Sequence, residues 1–321
     1  MRSDEVVANL AVDQRDRVQR MLTLLHRQAV YSVQMQGRVE SRQKEDGSPV
    51  TVVDLLHQSQ VQELLATHFP RDGLLCEEPR SLQEAVLEEA IEISRRIYGL
   101  PLGDRVVTLP REGDVVWVLD PIDGTKGFLG GRYFALAVGY FVHGEPFFGA
   151  IAVPASSVEK PLAIDARMAF AIRGEGAWIA KVVEGAEAEW ERLRSEPWEG
   201  PKMRIAVSLA HGGPLVERLE AMQGLEVVRL DSQAKYLAVA VGEIDAYLRS
   251  ARDDGHPDVV WDHMPAALVA SEAGCIVSHF DGEPVEFEPT EAIGFHGGVV
   301  CCRCSAKNEL RTALQTLTDR I

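Results

Sequence analysis

The stretch WVLDPIDGTKGF (117–128) decides more about this chain than any other. With Val115 and Val116 it opens as the apolar run of a buried strand. The run leads straight into two aspartates three residues apart, Asp120 and Asp123, with the stiff Pro121 between them. Carboxylates so placed at a strand end can converge on one point. A hard divalent cation such as Mg²⁺ wants that arrangement: a few oxygen ligands, with room left for water and phosphate. Gly124 lets the backbone come close to a ligand, and the Asp-Gly-Thr-Lys run can present N–H groups to an anion. Asp-Gly is also a common turn pair, but a bare turn needs neither the second aspartate nor the buried strand before it.

Outward from this segment, FALAVGYFV (134–142) and FFGAIAV (147–153) read as strands joined by a hairpin at His143-Gly144-Glu145-Pro146. MAFAIR (168–173) and AWIA (177–180) flank a second hairpin at Gly174-Glu175-Gly176. On the N-terminal side, Val18, Leu22, Leu25, Ala29 and Val33 recur at helical spacing over 13–36, ended by Gly37. A polar stretch with turn signals at Asp46-Gly47-Ser48-Pro49 follows. Further helices are predicted from about Asp54 to His68 and over roughly 81–97. The first half therefore reads as helices packed on an antiparallel sheet.

Residues 184–201 are charged and contain Pro and Gly, and are expected to connect two domains. Beyond them elements alternate: strands at 203–208, 225–230 and 244–249, helices at about 213–222 and 232–241. A helix at 263–273, strands at 275–279 and 297–302 and a helix at 305–319 complete a smaller α/β domain. The expected division is 1–190 and 191–321, with no internal repeat.

The chain has 321 residues, 46% hydrophobic and 26% charged, enough for a sizeable core. Its formal net charge of −16 excludes the basic surface that a long nucleic acid requires. Five cysteines, three of them at 301, 302 and 304, do not form a secreted disulfide framework, and Cys301-x-x-Cys304 lacks a second ligand pair. No apolar run is long enough for a membrane span, and the N-terminal residues lack a signal-peptide apolar region. The protein is expected to be soluble, cytoplasmic and monomeric or weakly dimeric.

Three more acidic positions stand where elements end. Glu77-Glu78 follows the apolar Leu74-Leu75-Cys76, and adjacent carboxylates repel unless a cation relieves them. Asp54 and Asp262 each open a helix, and each alone reads as an N-cap. The Asp-x-x-Asp spacing at 120–123 argues against the Asp-x-Asp nucleophile loop of haloacid dehalogenase phosphatases.

Taken together, GSPVTVVD (47–54), Glu77-Glu78, DPIDGTKGF (120–128) and WDHMPAALVASEAG (261–274) resemble the lithium-sensitive, Mg²⁺-dependent phosphatases of the inositol monophosphatase superfamily. The resemblance spans nearly the whole chain. Ser48-Pro49-Val50-Thr51, Thr125-Lys126-Gly127-Phe128, LDSQAKY (230–236) and Tyr247-Leu248-Arg249 are most similar to its 3′(2′),5′-bisphosphate nucleotidase branch. It implies an α+β and α/β fold, layered as an α-β-α-β-α sandwich. It implies metal ligation by Glu77, Asp120, Asp123, Asp262 and the Ile122 carbonyl, with two or three Mg²⁺. Water activation falls to Asp54 with Thr125. Substrate contacts fall to Gly124, Thr125, Lys126, His211, Ser232, Lys235 and Arg249. The implied substrate is a small nucleotide bisphosphate, 3′-phosphoadenosine 5′-phosphate, with phosphoadenosine phosphosulfate as a further one and lithium as inhibitor.

Two departures stand out: Cys76 precedes Glu77 where the family usually has Gly, and Cys275 replaces the second Gly of Glu-Ala-Gly-Gly. Neither removes an oxygen ligand. Residues 252–257 are more acidic than the nucleotidases lead one to expect. An inositol or sugar phosphate as substrate, and a silent nucleotide-binding sensor, are the competing readings.

Overall fold

The computed structural model describes residues 1–99, 102–154, 164–209, 214–251 and 257–306. Its centre is β4 (Val115–Asp123), in a seven-stranded sheet of order β3-β4-β5-β6-β7-β8-β9. The other strands are β3 (Gly73–Cys76), β5 (Ala135–Val142), β6 (Glu145–Val153), β7 (Arg167–Ile172), β8 (Gly176–Lys181) and β9 (Glu191–Leu193). Both faces of this sheet are covered, which is why β4 is continuously apolar rather than alternating. Val115, Trp117 and Leu119 belong to a core shared with α2 (Val12–Met35) and α3 (Val52–His68), after a short α1 (Ser3–Val6). Val116 and Val118 face the opposite way, against Val260, Trp261 and Met264.

That opposite side carries α7 (Ala234–Ala240) and α8 (Met264–Glu272), a layer between two sheets. All of α7 is buried, and so is α8 from Met264 to Ala270 apart from the half-buried Leu268, as their largely apolar sequences require. Close approach of α8 depends on Gly149 in β6, where a side chain would collide with the Pro265 carbonyl. The second sheet has order β11-β10-β12-β16-β14. It comprises β10 (Met203–Ser208), β11 (Leu225–Leu230), β12 (Ala246–Ser250), β14 (Cys275–His279) and β16 (Gly298–Arg303), with α6 (Pro214–Ala221) packed on β11. The layers thus run helix, sheet, helix, sheet, helix, as expected. There are also two small pairings, β1 (Ser41–Gln43) with β2 (Pro49–Thr51) and β13 (Asp258–Val259) with β15 (Ala292–Ile293), and two further helices, α4 (Arg80–Ile93) and the short α5 (Thr125–Leu129).

Several expectations need correction. The larger sheet is not wholly antiparallel, because β3 and β4 run parallel. The charged segment 184–201 is not only a connection: Trp190 is buried in the core and β9 adds the seventh strand. The large sheet therefore continues past the boundary at 190. Charged outward residues, Glu191 and Arg192, hide β9, since a short edge strand needs only one inward apolar residue, Leu193. Val33 is 46% exposed rather than part of the buried stripe of α2; Ser32 takes the inward position beside it and donates to the Gln28 carbonyl. The third helix ends at Ile93 and passes into a wider turn over Ser94–Tyr98. Of the helix expected at 305–319, the first two residues belong to a 3₁₀ turn, Cys304–Ala306, and the rest lies outside the described residues, as does most of 252–257. All five cysteines are free thiols, Cys301 buried and Cys304 exposed. Among the described residues no helix is long and apolar enough to cross a membrane.

Candidate active site

In a regular strand, residues three apart point to opposite faces. Asp120 and Asp123 nonetheless line one cleft. The pairing of β4 with β5 explains this. Asp120 faces Ala137 and Asp123 faces Ala135, so β4 spends one residue more than its partner, a bulge at Pro121-Ile122. The extra residue returns both carboxylates to the same side. It also places Pro121 where no ladder hydrogen bond is missed. Gly124 then takes φ +85°, a left-handed turn into α5.

The cleft, about 280 Å³, is lined by Glu77, Asp120, Ile122, Asp123 and Asp262, and by Gly124, Thr125, Lys126, Ser232, Lys235 and Arg249. Every expected catalytic, metal and substrate residue but two is therefore brought to it. His211 lies outside the described residues. Asp54 is wholly buried just behind the cleft wall. Asp54 is not the N-cap of α3. Thr51 is, and Asp54 completes a capping box three residues on, its Oδ2 accepting from the Thr51 N–H at 2.9 Å and hydroxyl at 2.5 Å. Its other oxygen, Oδ1, accepts from the Thr125 hydroxyl at 3.1 Å; Ile122 offers that hydroxyl a second acceptor at 3.2 Å. Nor does Asp262 cap α8: it ends a single 3₁₀ turn, Val260–Asp262, and His263 follows before the helix.

The electrostatics are those of acids pressed together in a dry place. Burial, then Glu77, Asp123 and Asp262, push the Asp120 carboxyl well above its ordinary range, and it stands close enough to Glu77 to share a proton. Its Oδ1 is buried without a hydrogen-bond partner. Burial and Asp123 raise Asp262 to about 8, and burial raises Asp123 to about 6 despite Lys235. Asp54 is raised to about 6 by burial, against the lowering effect of Thr51.

Two lysines answer this charge. Lys44 Nζ stands 2.6 Å from Glu77 Oε1 and 2.9 Å from Glu78 Oε1. Burial alone would discharge it, but the two carboxylates more than offset that and hold it charged. Nothing in the polar stretch around Lys44 marks it as part of the site. Lys235, lowered to about 8 by burial, donates to the Ser232 carbonyl at 2.6 Å and the Leu230 carbonyl at 3.3 Å, below the Tyr247 ring. It thereby braces the turn in which Ser232 adopts φ +62° and the next N–H, of Gln233, reaches Asp123 Oδ2 at 2.5 Å. Arg249 is fixed by Asp258 at 2.5 Å, and Arg132 with Asp231 closes the rim beside the exposed Lys126.

Among the described residues no three His, Cys, Asp or Glu side chains already form a closed cation cage. The donor set still fits a hard cation. Four carboxylates share one cleft, one carries an orphaned buried oxygen, and burial together with the neighbouring carboxylates raises Asp120, Asp123 and Asp262 above the ordinary carboxylate range. Glu78 stands apart from that set, buried beneath Glu77 and not lining the cleft.

Residues 12–318 match the model of the inositol monophosphatase family. The chain is 28% identical to a 3′(2′),5′-bisphosphate nucleotidase of Emericella nidulans, covering 90% of this chain and 93% of that one. It is 27% identical to a probable 3′(2′),5′-bisphosphate nucleotidase of Arabidopsis thaliana, covering 87% of each. In fold it is similar to a Thermotoga maritima IMPase, with a TM-score of 0.66 at 18% identity over 95% of this chain and 99% of that one. An IMPase/NADP phosphatase complexed with Mg²⁺ and phosphate aligns with a TM-score of 0.62 at 18% identity over 94% of each. Layered fold, gathered carboxylates and a match across nearly all of its length agree: the chain belongs to the inositol monophosphatase family.

Proposed function

We propose that the protein is a Mg²⁺-dependent phosphomonoesterase that removes the 3′-phosphate of 3′-phosphoadenosine 5′-phosphate, giving AMP and phosphate. One observation carries the reading: Glu77, Asp120, Asp123 and Asp262, from four distant stretches, line one cleft with the cations Lys126, Lys235 and Arg249. The nucleotide as substrate is supported by the names of the relatives in Emericella, Arabidopsis and Dictyostelium discoideum. Glu77, Asp120, Asp123, Asp262 and the Ile122 carbonyl would hold Mg²⁺, two or three ions, which when bound neutralises phosphate charge and lowers the pKa of water.

The chain's own residues do the rest. The Thr125 hydroxyl and Asp54 Oδ1 form a relay that orients a water at the cleft wall and takes its proton, since Asp54 is poised near neutrality. Lys126 and Arg249 supply the positive charge that an acidic protein needs to hold a bisphosphate. Lys235 acts through the Ser232 turn as well as through its charge.

Phosphate release measured across the bisphosphate nucleotide, inositol monophosphate and phosphoadenosine phosphosulfate tests this. The nucleotide is expected to be preferred. Equal rates on inositol monophosphate would overturn the substrate assignment, and tight calorimetric binding without phosphate release would make the protein a sensor.

A further inference from the structure

Helix α3 does more than carry Asp54. One turn later on the same face stands Gln58, fully buried. Its amide makes two hydrogen bonds to a single residue outside the helix: Nε2 donates to the Glu78 carbonyl at 2.7 Å, and Oε1 accepts from the Glu78 N–H at 3.0 Å. The place matters. Ladder pairing of β3 with β4 ends at Cys76, and α4 begins at Arg80. Glu77 and Glu78 therefore lie in the short gap between strand and helix, where the ladder runs out, followed by Pro79, which has no N–H to donate. The Glu77 N–H makes the last ladder bond, to the Leu119 carbonyl at 3.3 Å. Both backbone groups of Glu78 are instead matched by one side chain, as a neighbouring strand would match them.

We propose that Gln58 is a positioning residue: its amide substitutes for a strand partner and holds the Glu77-Glu78 pair in register with Asp120 and Asp54, so that the site takes up Mg²⁺. This rests on the metal-dependent reading above. The neighbouring His57 works in the same sense on the other acidic segment, donating to the Pro121 carbonyl within the bulge. One helix thus references both acidic segments to the base at its own first turn. Losing a partner behind a metal ligand typically weakens metal affinity about 10- to 100-fold.

The test compares Gln58→Met, which keeps shape and loses both hydrogen bonds, with Gln58→Glu, which keeps the acceptor for the Glu78 N–H and loses the donor. Gln83→Met is the control. Gln83 is an equally buried glutamine that bonds Ser59 and Gln62 on the same helix and touches neither acidic segment. Mg²⁺ affinity is read by calorimetric titration of each full-length protein, beside its melting temperature. The expected result is a Mg²⁺ dissociation constant raised about tenfold or more in both Gln58 variants. Gln83→Met should lose stability with its Mg²⁺ affinity unchanged, and nucleotide KM at saturating Mg²⁺ should be near wild type throughout. Should Gln58→Met fail to fold, Gln58→Glu decides alone. Unchanged Mg²⁺ affinity in a folded Gln58 variant, or an equal loss in Gln83→Met, overturns the proposal. A wild-type protein that binds no Mg²⁺ removes the metal-dependent reading itself, and this inference with it.

Discussion

Asp120 is held where a carboxylate alone is badly placed: 2% exposed, one oxygen unpartnered, Glu77 against it. Two opposite effects of one substitution follow. Asp120→Asn removes a charge that the metal would use, and kcat should fall at least ~10²-fold, the scale for a disturbed catalytic electrostatic element. The same change relieves repulsion, so without Mg²⁺ the variant should melt higher than wild type. Assay at saturating Mg²⁺ and thermal melts in chelator check the two halves, and wild-type turnover would refute the ligand assignment. At Thr125 the hydroxyl is the working part. Thr125→Val should lose activity on the general-base scale of ~10²-fold while remaining folded, and Thr125→Ser should restore most of it.

At the scale of elements, two devices shape the site: the capping box that opens α3 and the bulge in β4. Thr51 joins helix and chemistry, because the bonds that cap α3 also hold down the pKa of Asp54. Thr51→Val should cost about 1 kcal/mol of stability as a lost cap. It should also move the acid limb of the kcat/KM profile to higher pH, since Asp54 loses the Thr51 hydroxyl as a donor to its charged form; an unmoved limb would separate cap from base. Gly124→Ala places a Cβ 3.2 Å from that of Ser232 in a backbone with φ +85°. The strain should cost about 1–3 kcal/mol, read from denaturant midpoints. Much of this scale was legible from residue order. Strand 115–119, the hairpins at 143–146 and 174–176 and the helix ended by Gly37 all carry local signals. The bulge was not legible, because Asp-Pro-Ile-Asp does not announce which strand will count against it. Strand β9 was missed because an edge strand with one inward residue reads as a charged linker.

At the scale of the molecule, the acidic cluster ties stability to pH and metal. Asp123 and Asp262 have folded pKa values of about 6 and 8, against about 3.8 for an ordinary aspartate. Between those values the folded state binds more protons than the unfolded one, so stability falls as pH rises. Below pH 4 the groups are neutral in both states and no penalty exists; above about 8 it is complete. Metal-free protein should therefore melt progressively lower from pH 5 to pH 8, and the gain on adding Mg²⁺ should grow over the same interval, because the cation binds the ionised form. A Mg²⁺ shift independent of pH would contradict this. Buried His57 and His263, lowered to about 3 and 4, oppose the trend on the acid side: their contribution is full above pH 6.5 and lost as pH falls toward those values.

Residue order by itself determined the kinds of element, because periodicity and turn chemistry are local properties; the layered class and the full set of acidic residues followed from the resemblance of its motifs to a known family. It did not determine which oxygen of Asp54 is engaged by the cap and which faces Thr125, or that Lys44 stands between Glu77 and Glu78. Nor could it tell that Lys235 braces the Ser232 turn, or that Gln58 holds Glu78. Those are matters of tertiary structure, for a physical reason: the bonds of Asp54 to Thr125, Lys44 to Glu77 and Gln58 to Glu78 join residues far apart in the chain, the short-range bonds of Thr51 and Lys235 depend on the burial around them, and the strength of all comes from the low dielectric that exists only once the layers have closed.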